Sequence, residues 1–410
     1  MHSIEDTIAG ISTPVGLGGI GIVRLTGPKA VAIAESVFRS PGRKKLSSAP
    51  SRRSIYGQVV DPADSRIVDE VLTTVMRAPN SYTREDVVEI SSHGGLVSVR
   101  NILEIVVRQG ARPADPGEFT KRAFLNGRLS LDQAEAVLDI ISAKTSESMR
   151  IAGEQLRGNL TRKLADIRSR LIEISAYVEA YLDFPEDEIE HASNETIRKQ
   201  LMETVTEIKR LSSTFDEARF FREGLSVAIV GRPNVGKSSL LNTLLQKDRA
   251  IVTDLPGTTR DLIEDFLNLN GLPVRITDTA GIRNSTEIVE QEGIRRSVQA
   301  IGHADFIVAL FDGSEPLCQE DLDLLQIIRG KNAIAVIGKA DLPRAINPDR
   351  IAGEGMPLLH LSTLTGEGVE ELKERIFASH LCGWKEEREG VVVTNIRHKT
   401  ALDSAAGSLE

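Results

Sequence analysis

The stretch Gly231-Arg-Pro-Asn-Val-Gly-Lys-Ser238 constrains the fold of this chain more than any other part of its sequence. An apolar run, Leu225–Val230, precedes it and is typical of a buried strand, and Lys237–Leu245 follows with the pattern of a helix. A strand, a glycine-containing loop and a helix in this order form a phosphate-binding loop, because backbone N–H groups close around phosphate oxygens at the positive end of the helix dipole. We therefore predict that a nucleotide binds here, with Lys237 at the outer phosphates and the Ser238 hydroxyl on Mg²⁺. The alternative is a glycine turn that merely leads into a core helix.

Composition narrows the class of protein. The chain has 410 residues, enough for two to four domains that each bury a core. A net charge of -9 and an aromatic content of 4% argue against a protein that coats nucleic acid or stacks single strands. Cys318 and Cys382 are the only cysteines, so neither a disulfide framework nor a zinc site is expected. No apolar stretch reaches the roughly 18 residues of a membrane helix, and we expect a cytoplasmic protein with no membrane partner.

The pattern of apolar residues divides the chain into regions, and together they predict a multidomain α/β fold. Residues 1–118 mix helical segments with short β-branched runs (Ile20–Leu25, Val68–Val75, Val87–Ile90), which predicts an α+β domain. Apolar residues recur at three and four spacing through 119–220, which predicts a helical domain. Strand-like runs alternate with helices over 224–380, which predicts a parallel sheet with crossover helices. A further helical pattern occupies 385–410.

Three further elements follow the phosphate loop in the order expected of a guanine-nucleotide switch. Thr259 lies in Asp254-Leu-Pro-Gly-Thr-Thr-Arg-Asp261 and offers a second hydroxyl ligand to Mg²⁺. Asp278-Thr-Ala-Gly281 ends a predicted strand, so that its aspartate reaches the metal through water and its glycine N–H meets the γ-phosphate. The third element is a base-reading loop after the predicted strand Ala333–Ile337.

The base-reading loop departs from the usual Asn-Lys-x-Asp pattern and reads Gly338-Lys-Ala-Asp341. Asp341 still accepts hydrogen bonds from guanine N1–H and N2–H₂, which adenine does not supply. Gly338 has no side chain to contact the base edge or to tie this loop to the phosphate loop. Because one hydrogen bond is worth about 0.5–1.5 kcal/mol, we predict weakened affinity with guanine preference retained. The alternative is an NTPase without guanine specificity.

A second base contact is predicted at Ser362-Thr-Leu364, where related proteins usually have Ser-Ala-Lys. A backbone N–H in this segment still reaches guanine O6. The segment is thus a weaker version of the usual one and does not by itself exclude guanine.

The sequence leaves open which group activates the attacking water. Small switch GTPases often have a glutamine directly after the Asp-x-x-Gly glycine, whereas this chain has the apolar Ile282, followed by Arg283. Three carboxylates follow downstream, and any of them can polarise water as a general base: Glu287, Glu290 and Glu292. Asn234 offers an amide oxygen to a monovalent cation beside the phosphates, or it only caps the loop.

Several longer motifs are shared with one known family. They are Asp6-Thr-Ile8, Gly18-Gly-Ile-Gly-Ile-Val-Arg24, Pro79-Asn-Ser-Tyr-Thr-Arg-Glu-Asp86, His93-Gly-Gly95, Pro116-Gly-Glu-Phe-Thr-Lys-Arg-Ala-Phe-Leu-Asn-Gly127, Asp183-Phe-Pro185, Ala250-Ile-Val-Thr-Asp254 and Gly257-Thr-Thr-Arg-Asp261. With them, the chain resembles the MnmE (TrmE) family of bacterial and organellar tRNA-modification GTPases over nearly its whole length. The motifs within 6–24 and 116–127 are not general GTPase features, which makes the resemblance specific.

The resemblance implies a fold of three parts. They are an N-terminal α+β domain similar to tetrahydrofolate-binding domains, a helical domain, and a Ras-like G domain inserted into the helical domain. Residues 385–410 would then return to complete the helical domain. The sequence lacks the Cys-x-Gly-Lys that ends the family's chains, so we expect a truncated member.

The resemblance also implies the site residues. K⁺ would take the place of an arginine finger, with ligands from Asn234, Thr253, Leu255 and Thr258. Glu290 matches the family's catalytic glutamate, and we assign Arg283 beside it. A 5-formyltetrahydrofolate or a related tetrahydrofolate would contact Arg24, Glu89 and Arg128. The predicted nucleotide-binding residues are Asn234, Val235, Gly236, Lys237, Ser238, Ser239, Thr253, Thr258, Thr259, Asp278, Thr279, Ala280, Gly281, Lys339, Asp341, Ser362 and Thr363.

Two functional hypotheses follow. In the first, the chain is a homodimeric, K⁺-stimulated GTPase that joins an MnmG-type FAD protein in a heterotetramer. GTP is hydrolysed to GDP while a folate one-carbon unit supplies an aminomethyl-type group, such as 5-carboxymethylaminomethyl, to the wobble uridine of tRNA. In the second, the chain is a GTP-switched ribosome or RNA assembly factor that does no covalent chemistry on RNA. The folate residues discriminate, because an assembly factor has no need of Arg24, Glu89 and Arg128 in one pocket.

Overall fold

The computed structural model describes residues 6–14, 16–183, 194–248, 266–277, 300–352, 355–381, 384 and 390–410. These residues form two compact units. One runs through residue 137, and the other begins at residue 138.

An antiparallel sheet forms the framework of the first unit. Its strands are β1 (Ile8–Ile11), β2 (Gly21–Thr26), β3 (Phe38–Arg39), β4 (Arg53–Val60), β5 (Ile67–Met76), β6 (Val87–Ser92) and β7 (Arg112–Pro113). Their order across the sheet is β3-β4-β5-β6-β2-β1-β7, and only the pair β1 and β7 is parallel.

The two faces of this sheet differ. The helices α1 (Ala30–Val37) and α2 (Leu96–Arg108) share a core with one face, to which alternate residues such as Val23, Leu25 and Ile90 contribute. Because side chains alternate between faces along a strand, Arg24 and Glu89 lie on the other face. They are directly paired in the register of β2 and β6.

A buried ionic network joins the end of the sheet to α3 (Glu118–Leu125). Arg112 Nη2 lies 2.5 Å from Glu118 Oε1, and Arg112 Nε lies 2.7 Å from Asp6 Oδ2. Arg122, which is only 3% exposed, pairs with both carboxylates. Burial acts to raise the pKa of Glu118, but hydrogen bonds from Arg112, the Asp115 N–H and Arg122 lower that pKa to about 2.

Helices α4 to α8 follow along the chain. They are α4 (Leu131–Ser142), α5 (Ser146–Leu156), α6 (Asn159–Asp183), α7 (Asn194–Ser213) and α8 (Phe215–Glu223). A helix near the other end of the chain, α13 (Ile396–Leu409), places Leu402 in a core with Leu160 and Ile208. The helical domain is therefore built from segments on both sides of the nucleotide-binding region, as the resemblance implied.

A second sheet forms the nucleotide-binding region. Its strands are β8 (Leu225–Val230), β9 (Phe266–Leu269), β10 (Leu272–Thr277), β11 (Phe306–Asp312), β12 (Ala333–Gly338) and β13 (Leu358–His360). The order is β13-β12-β11-β8-β10-β9, and all pairs are parallel except β9 with β10. The accompanying helices are α9 (Lys237–Asp248), α10 (Gln319–Ile328), α11 (Asp349–Ala352) and α12 (Val369–Ala378). The predicted multidomain class, with an α+β domain, a helical domain and an inserted α/β domain, is confirmed.

The helices contact this second sheet at the turn between β9 and β10. Thr145 caps the N-terminus of α5, and its hydroxyl donates to the Gly271 carbonyl oxygen at 2.6 Å. Gly271 has φ +94°, and a Cβ there would lie 2.9 Å from Glu147 Cβ. Only glycine fits both the backbone conformation and the close approach. Within the described ranges, no helix combines the length and the apolar character needed to cross a membrane.

We predict that Glu118→Gln destabilises the first unit by about 3 kcal/mol near neutral pH. The folded-state pKa of about 2 lies below the ordinary value of 4.5. Ionised Glu118 therefore stabilises the fold above about pH 4.5, and this contribution is lost as the pH falls toward 2. Hydrogen exchange of the peptides that carry β1 and β7, measured in urea at pH 7 and at pH 3.5, tests this.

The exposed Glu104, on α2, provides a matched control. Glu104→Gln should leave exchange unchanged at both pH values. Equal protection of the Glu118→Gln variant and the wild type at pH 7 would contradict the prediction.

Candidate functional site

The phosphate loop lies between β8 and α9. Every residue of β8 is buried, so the end of the strand fixes where the loop begins. A Cβ at Gly231 would lie 2.4 Å from the Leu310 carbonyl oxygen on β11, which only glycine permits. Asn234 (φ +63°) and Gly236 (φ +107°) have left-handed backbone conformations that turn the chain into α9. The predicted order of strand, loop and helix is present.

Lys237, the first residue of α9, extends its side chain across this loop. Its Nζ donates to the carbonyl oxygens of Gly231 at 2.7 Å and Arg232 at 2.8 Å. The ammonium and the N-terminal N–H groups of α9 give the loop a positive potential, which favours phosphate. Val235 is buried beneath the loop, whereas Ser238 is half-buried and Ser239 is exposed.

The predicted base-reading residues lie together at the ends of β12 and β13. Lys339 follows β12 with a left-handed backbone (φ +57°), and the Ala340 N–H donates to the Leu361 carbonyl oxygen at 3.1 Å. The Ser362 hydroxyl, which is fully buried, donates to Asp341 Oδ1 at 2.5 Å. Asp341 is thereby oriented, with its carboxylate available to a base that presents N–H donors. Thr363 follows, half-buried.

Gly338 brings the base-reading loop next to the phosphate loop. A Cβ at this position would lie 3.9 Å from the Val235 carbonyl oxygen, 3.5 Å from the Phe311 carbonyl oxygen and 3.3 Å from Leu310 Cδ1. A small side chain therefore has room here if Leu310 shifts by a few tenths of an ångström. Glycine provides no side chain to connect the two loops here, and the nearby Val235 carbonyl oxygen is where a longer side chain would attach.

Two charged residues beside the nucleotide loops, Asp312 and Arg232, were not predicted from the sequence. Asp312 ends β11 and is 4% exposed; its Oδ2 accepts from Lys339 Nζ at 2.6 Å. Arg232, in the phosphate loop, has its Nη2 3.9 Å from Asp312 Oδ2 and also pairs with Glu315. The signal that could have found Asp312 is its position at the carboxyl end of a parallel strand, where α/β sheets bind ligands.

Many predicted site residues lie outside the described residues. They are Thr253, Leu255, Thr258, Thr259, Asp278, Thr279, Ala280, Gly281, Arg283 and Glu290. The other carboxylates weighed for water activation, Glu287 and Glu292, also lie outside them. In the part of the chain that is described, no three His, Cys, Asp or Glu side chains are grouped to hold a metal.

Two of the predicted folate residues, Arg24 and Glu89, pair on the face of the first sheet opposite α1 and α2. Arg24 Nε and Nη2 lie 2.8 and 2.7 Å from Glu89 Oε1, and both side chains are 25% exposed. Pairing across β2 and β6 brings these two residues together although they are 65 positions apart in the chain.

Tyr82, which the sequence analysis did not select, joins Arg128 to this pair. The guanidinium carbons of Arg24 and Arg128 lie 5.4 and 4.7 Å from the centre of the Tyr82 ring. Arg128 Nη1 also donates to the Tyr82 carbonyl oxygen at 3.0 Å. On the other side of Arg24, the Phe119 ring centre lies 5.5 Å away. The arrangement offers one carboxylate, two cations and an aromatic face, which suits a flat, polar ligand with an acidic group.

Two family models match the chain. The model of the GTP-binding protein TrmE N-terminus matches residues 7–128, and the MnmE helical domain model matches residues 131–410. Three curated relatives are each named tRNA modification GTPase MnmE. The relative from Alkaliphilus oremlandii is 46% identical over 408 residues, which is 99% of this chain and 88% of the relative. The relatives from Bacillus subtilis and Geobacter sulfurreducens are 45% and 48% identical, over 99% and 97% of this chain and 89% and 87% of their own.

Solved structures overlap the chain only in part. The G domain of the T. maritima FeoB iron transporter is 28% identical over 38% of this chain and 98% of its own, with a TM-score of 0.28. That score is too low to support an argument about the fold.

We predict that Gly338→Asn strengthens guanine-nucleotide binding. The new amide can donate to the Val235 carbonyl oxygen and so tie the base-reading loop to the phosphate loop. One added hydrogen bond should lower the Kd for GDP by roughly two- to tenfold. Fluorescence titration with a labelled GDP measures this.

Gly302→Asn is the matched control, because a Cβ at Gly302 meets nothing within 4 Å. It should leave the Kd unchanged. An unchanged Kd in folded Gly338→Asn would refute the geometric account of Gly338.

Proposed function

The chain belongs to the MnmE family of tRNA modification GTPases, and we propose that K⁺ stimulates its GTP hydrolysis in support of tRNA wobble-uridine modification. As a member of this family it is a GTP hydrolase acting in tRNA modification. The observation that supports guanine-nucleotide binding is the phosphate loop beside the base-reading loop, whose Asp341 is oriented by Ser362. We further propose a cytoplasmic location and domain bounds of 1–118, 119–220, 224–380 and 385–410.

GTP would bind with its phosphates at the loop of Lys237 and its base at Asp341. The α9 N-terminus and the Lys237 ammonium neutralise phosphate charge. Ser238 lies in the first turn of α9, beside the loop, and is our proposed protein ligand of Mg²⁺ together with Thr259. Asp341 selects guanine, because its carboxylate accepts from N–H donors that adenine lacks.

Water activation is assigned to Glu290, with Arg283 beside it, and charge compensation to K⁺ held by Asn234, Thr253, Leu255 and Thr258. Of these residues, the structure describes Asn234. Its side chain is exposed at the tip of the phosphate loop, on a left-handed backbone that commits it to that position. When bound, K⁺ would supply positive charge near the phosphates in addition to that of the Lys237 ammonium.

A tetrahydrofolate would be held by Arg24, Glu89 and Arg128, with Tyr82 as the aromatic wall between the two arginines. Glu89 can accept from the N–H donors of a pterin ring. An arginine can pair with the glutamate tail. This chain's own residues thus bind and orient the ligand, which supplies the one-carbon unit when present.

Dimerisation is assigned to the β4–β5 part of this same face of the first sheet. Tyr56 and Leu72 face each other across β4 and β5 and are 51% and 49% exposed. Ser91 is the partner of Leu72 on β6, one position along the same face from Glu89. This apolar surface adjoins the proposed folate site, so a second copy of the chain can cover both. We propose that the homodimer then joins an MnmG-type FAD protein in a heterotetramer that acts on tRNA.

We predict that GTP turnover is at least about tenfold faster in K⁺ than in Na⁺ at equal ionic strength. Asn234→Ala should remove this difference while the chain still binds GDP. Glu290→Ala should instead lower turnover by orders of magnitude in both salts, with GTP affinity retained. Phosphate release assays in the two salts measure the rate of GTP hydrolysis. Equal wild-type rates in K⁺ and Na⁺ would contradict the K⁺ proposal.

We predict that 5-formyltetrahydrofolate binds the chain and that Glu89→Gln weakens this binding at least about tenfold. The substitution removes the negative charge that pairs with Arg24 and replaces one of the two acceptor oxygens for the pterin ring with an NH₂ donor. Isothermal titration calorimetry measures the Kd, with Glu104→Gln on the helix-covered side of the sheet as the control. Absence of binding by the wild type would favour the alternative of an assembly factor.

A further inference from the structure

Asp312 stands between the two nucleotide-contacting loops. In the sheet, β11 lies between β8, which leads into the phosphate loop, and β12, which leads into the base-reading loop. Because parallel strands end at the same edge, the last residue of β11 faces both loops at once. Asp312 is that residue.

Both oxygens of the Asp312 carboxylate accept hydrogen bonds. Oδ1 accepts from the Ser314 N–H at 2.9 Å and from the Ser314 hydroxyl at 2.6 Å, which fixes the orientation of the group. Oδ2 accepts from Lys339 Nζ at 2.6 Å. The Lys339 backbone is in the left-handed region, which is unfavourable for a side chain of this kind. The ion pair therefore holds a strained residue of the base-reading loop in place.

Arg232 faces the same carboxylate from the phosphate loop. Its Nη2 lies 3.9 Å from Asp312 Oδ2, and Glu315 and Asp321 flank its guanidinium group. The Asp312 side chain is only 4% exposed, so water screens these attractions weakly. One buried negative charge thus attracts a cation from each loop.

Backbone contacts place the base-reading loop at the same point. The Gly313 N–H donates to the Gly338 carbonyl oxygen at 3.0 Å. A Cβ at Gly313 would lie 2.6 Å from that oxygen, so the two strand ends are as close as the chain allows. Gly338 itself contributes no side chain to the phosphate loop.

We propose that Asp312 is a positioning residue for guanine nucleotides. Its carboxylate, through Lys339 and Arg232, ties the base-reading loop to the phosphate loop and so replaces the tie that Gly338 lacks. The inference rests on the GTPase function. A wild-type chain that fails to bind guanine nucleotide would overturn that function, whereas the variants below separately test Asp312.

Asp312→Asn tests the proposal. The amide retains an acceptor for Ser314 but loses the charge that holds Lys339 and attracts Arg232. The Kd for GDP and the KM for GTP should rise about tenfold, while kcat at saturating GTP stays within about twofold. A purely structural role would lower the thermal midpoint without this split between KM and kcat. A folded variant whose Kd lies within about twofold of wild type would overturn the proposal.

A double variant sharpens the test. In the Asp312→Asn background, Gly338→Asn should lower the Kd for GDP by a larger factor than it does in the wild type, because its amide then provides the tie to the Val235 carbonyl oxygen in place of the lost one. The two substitutions would then be non-additive. Strict additivity would show that Asp312 acts on something other than the tie between the loops. Asp323→Asn, an exposed position on α10, removes the same charge and should leave the Kd unchanged.

Arg232→Met tests the same proposal if the Asp312→Asn variant does not fold. It removes the phosphate-loop end of the tie and leaves the pair of Asp312 with Lys339 intact. The Kd for GDP should rise about threefold, and the Gly338→Asn substitution should reverse that rise. An unchanged Kd in folded Arg232→Met would overturn the proposal.

Discussion

The nucleotide site depends on the meeting of three buried parallel strands, β8, β11 and β12, at one edge of the sheet. Strand pairing holds their ends about 5 Å apart, so the loops that leave them cannot avoid one another. Only glycine fits at positions 231 and 313, because a neighbouring carbonyl oxygen occupies the space that a Cβ would need. Charged side chains at this edge therefore lie close together, and their charges must be of opposite sign to be stable there. Asp312, Lys339 and Arg232 satisfy that requirement with one another, and the phosphate and base positions follow from where those residues are held.

Local patterns predicted much of this fold, and long-range pairing supplied the rest. The sequence predicted the apolar strands before Gly231 and Gly338 and the helix that begins at Lys237. Buried strands appear as apolar runs, and the loops that follow them are marked by glycine. β4 has a polar composition, with Arg53 and Gln58 among its residues, and β3 and β7 are two residues long, so no such mark distinguished them. The strands that carry Arg24 and Glu89 were predicted, and the family resemblance assigned both residues to one pocket, but their direct pairing across β2 and β6 was not predicted. The stacking of Arg128 on Tyr82 and the pairing of Asp312 with Lys339 link residues whose local surroundings do not mark them as partners.

The helical domain and the nucleotide-binding sheet of the second unit have a specific joint at Thr145 and Gly271. The Thr145 hydroxyl contacts both parts of this unit, because it caps α5 and also donates to the β9–β10 turn. In the chain, β9 and β10 lie between the Asp254–Asp261 segment and the Asp278–Gly281 segment, which are the predicted switch elements. The start of α5 is therefore attached to a hairpin that lies between the two elements in the sequence. A helix cap and a glycine make its polar contact, and Ile151 of α5 shares an apolar core with Leu272 and Val274 of β10.

The ion pair of Arg24 with Glu89 has a consequence for selectivity. The two groups already neutralise each other, so a ligand entering here gains little from either charge alone. To bind, the ligand must replace the Arg24–Glu89 ion pair. It must therefore present hydrogen-bond donors to Glu89 and an acidic group to an arginine at the same time. A molecule with only one of these features would leave the other half-buried charge without a partner and would therefore bind weakly. The resting pair thus acts as an internal competitor that only a ligand of mixed character can displace.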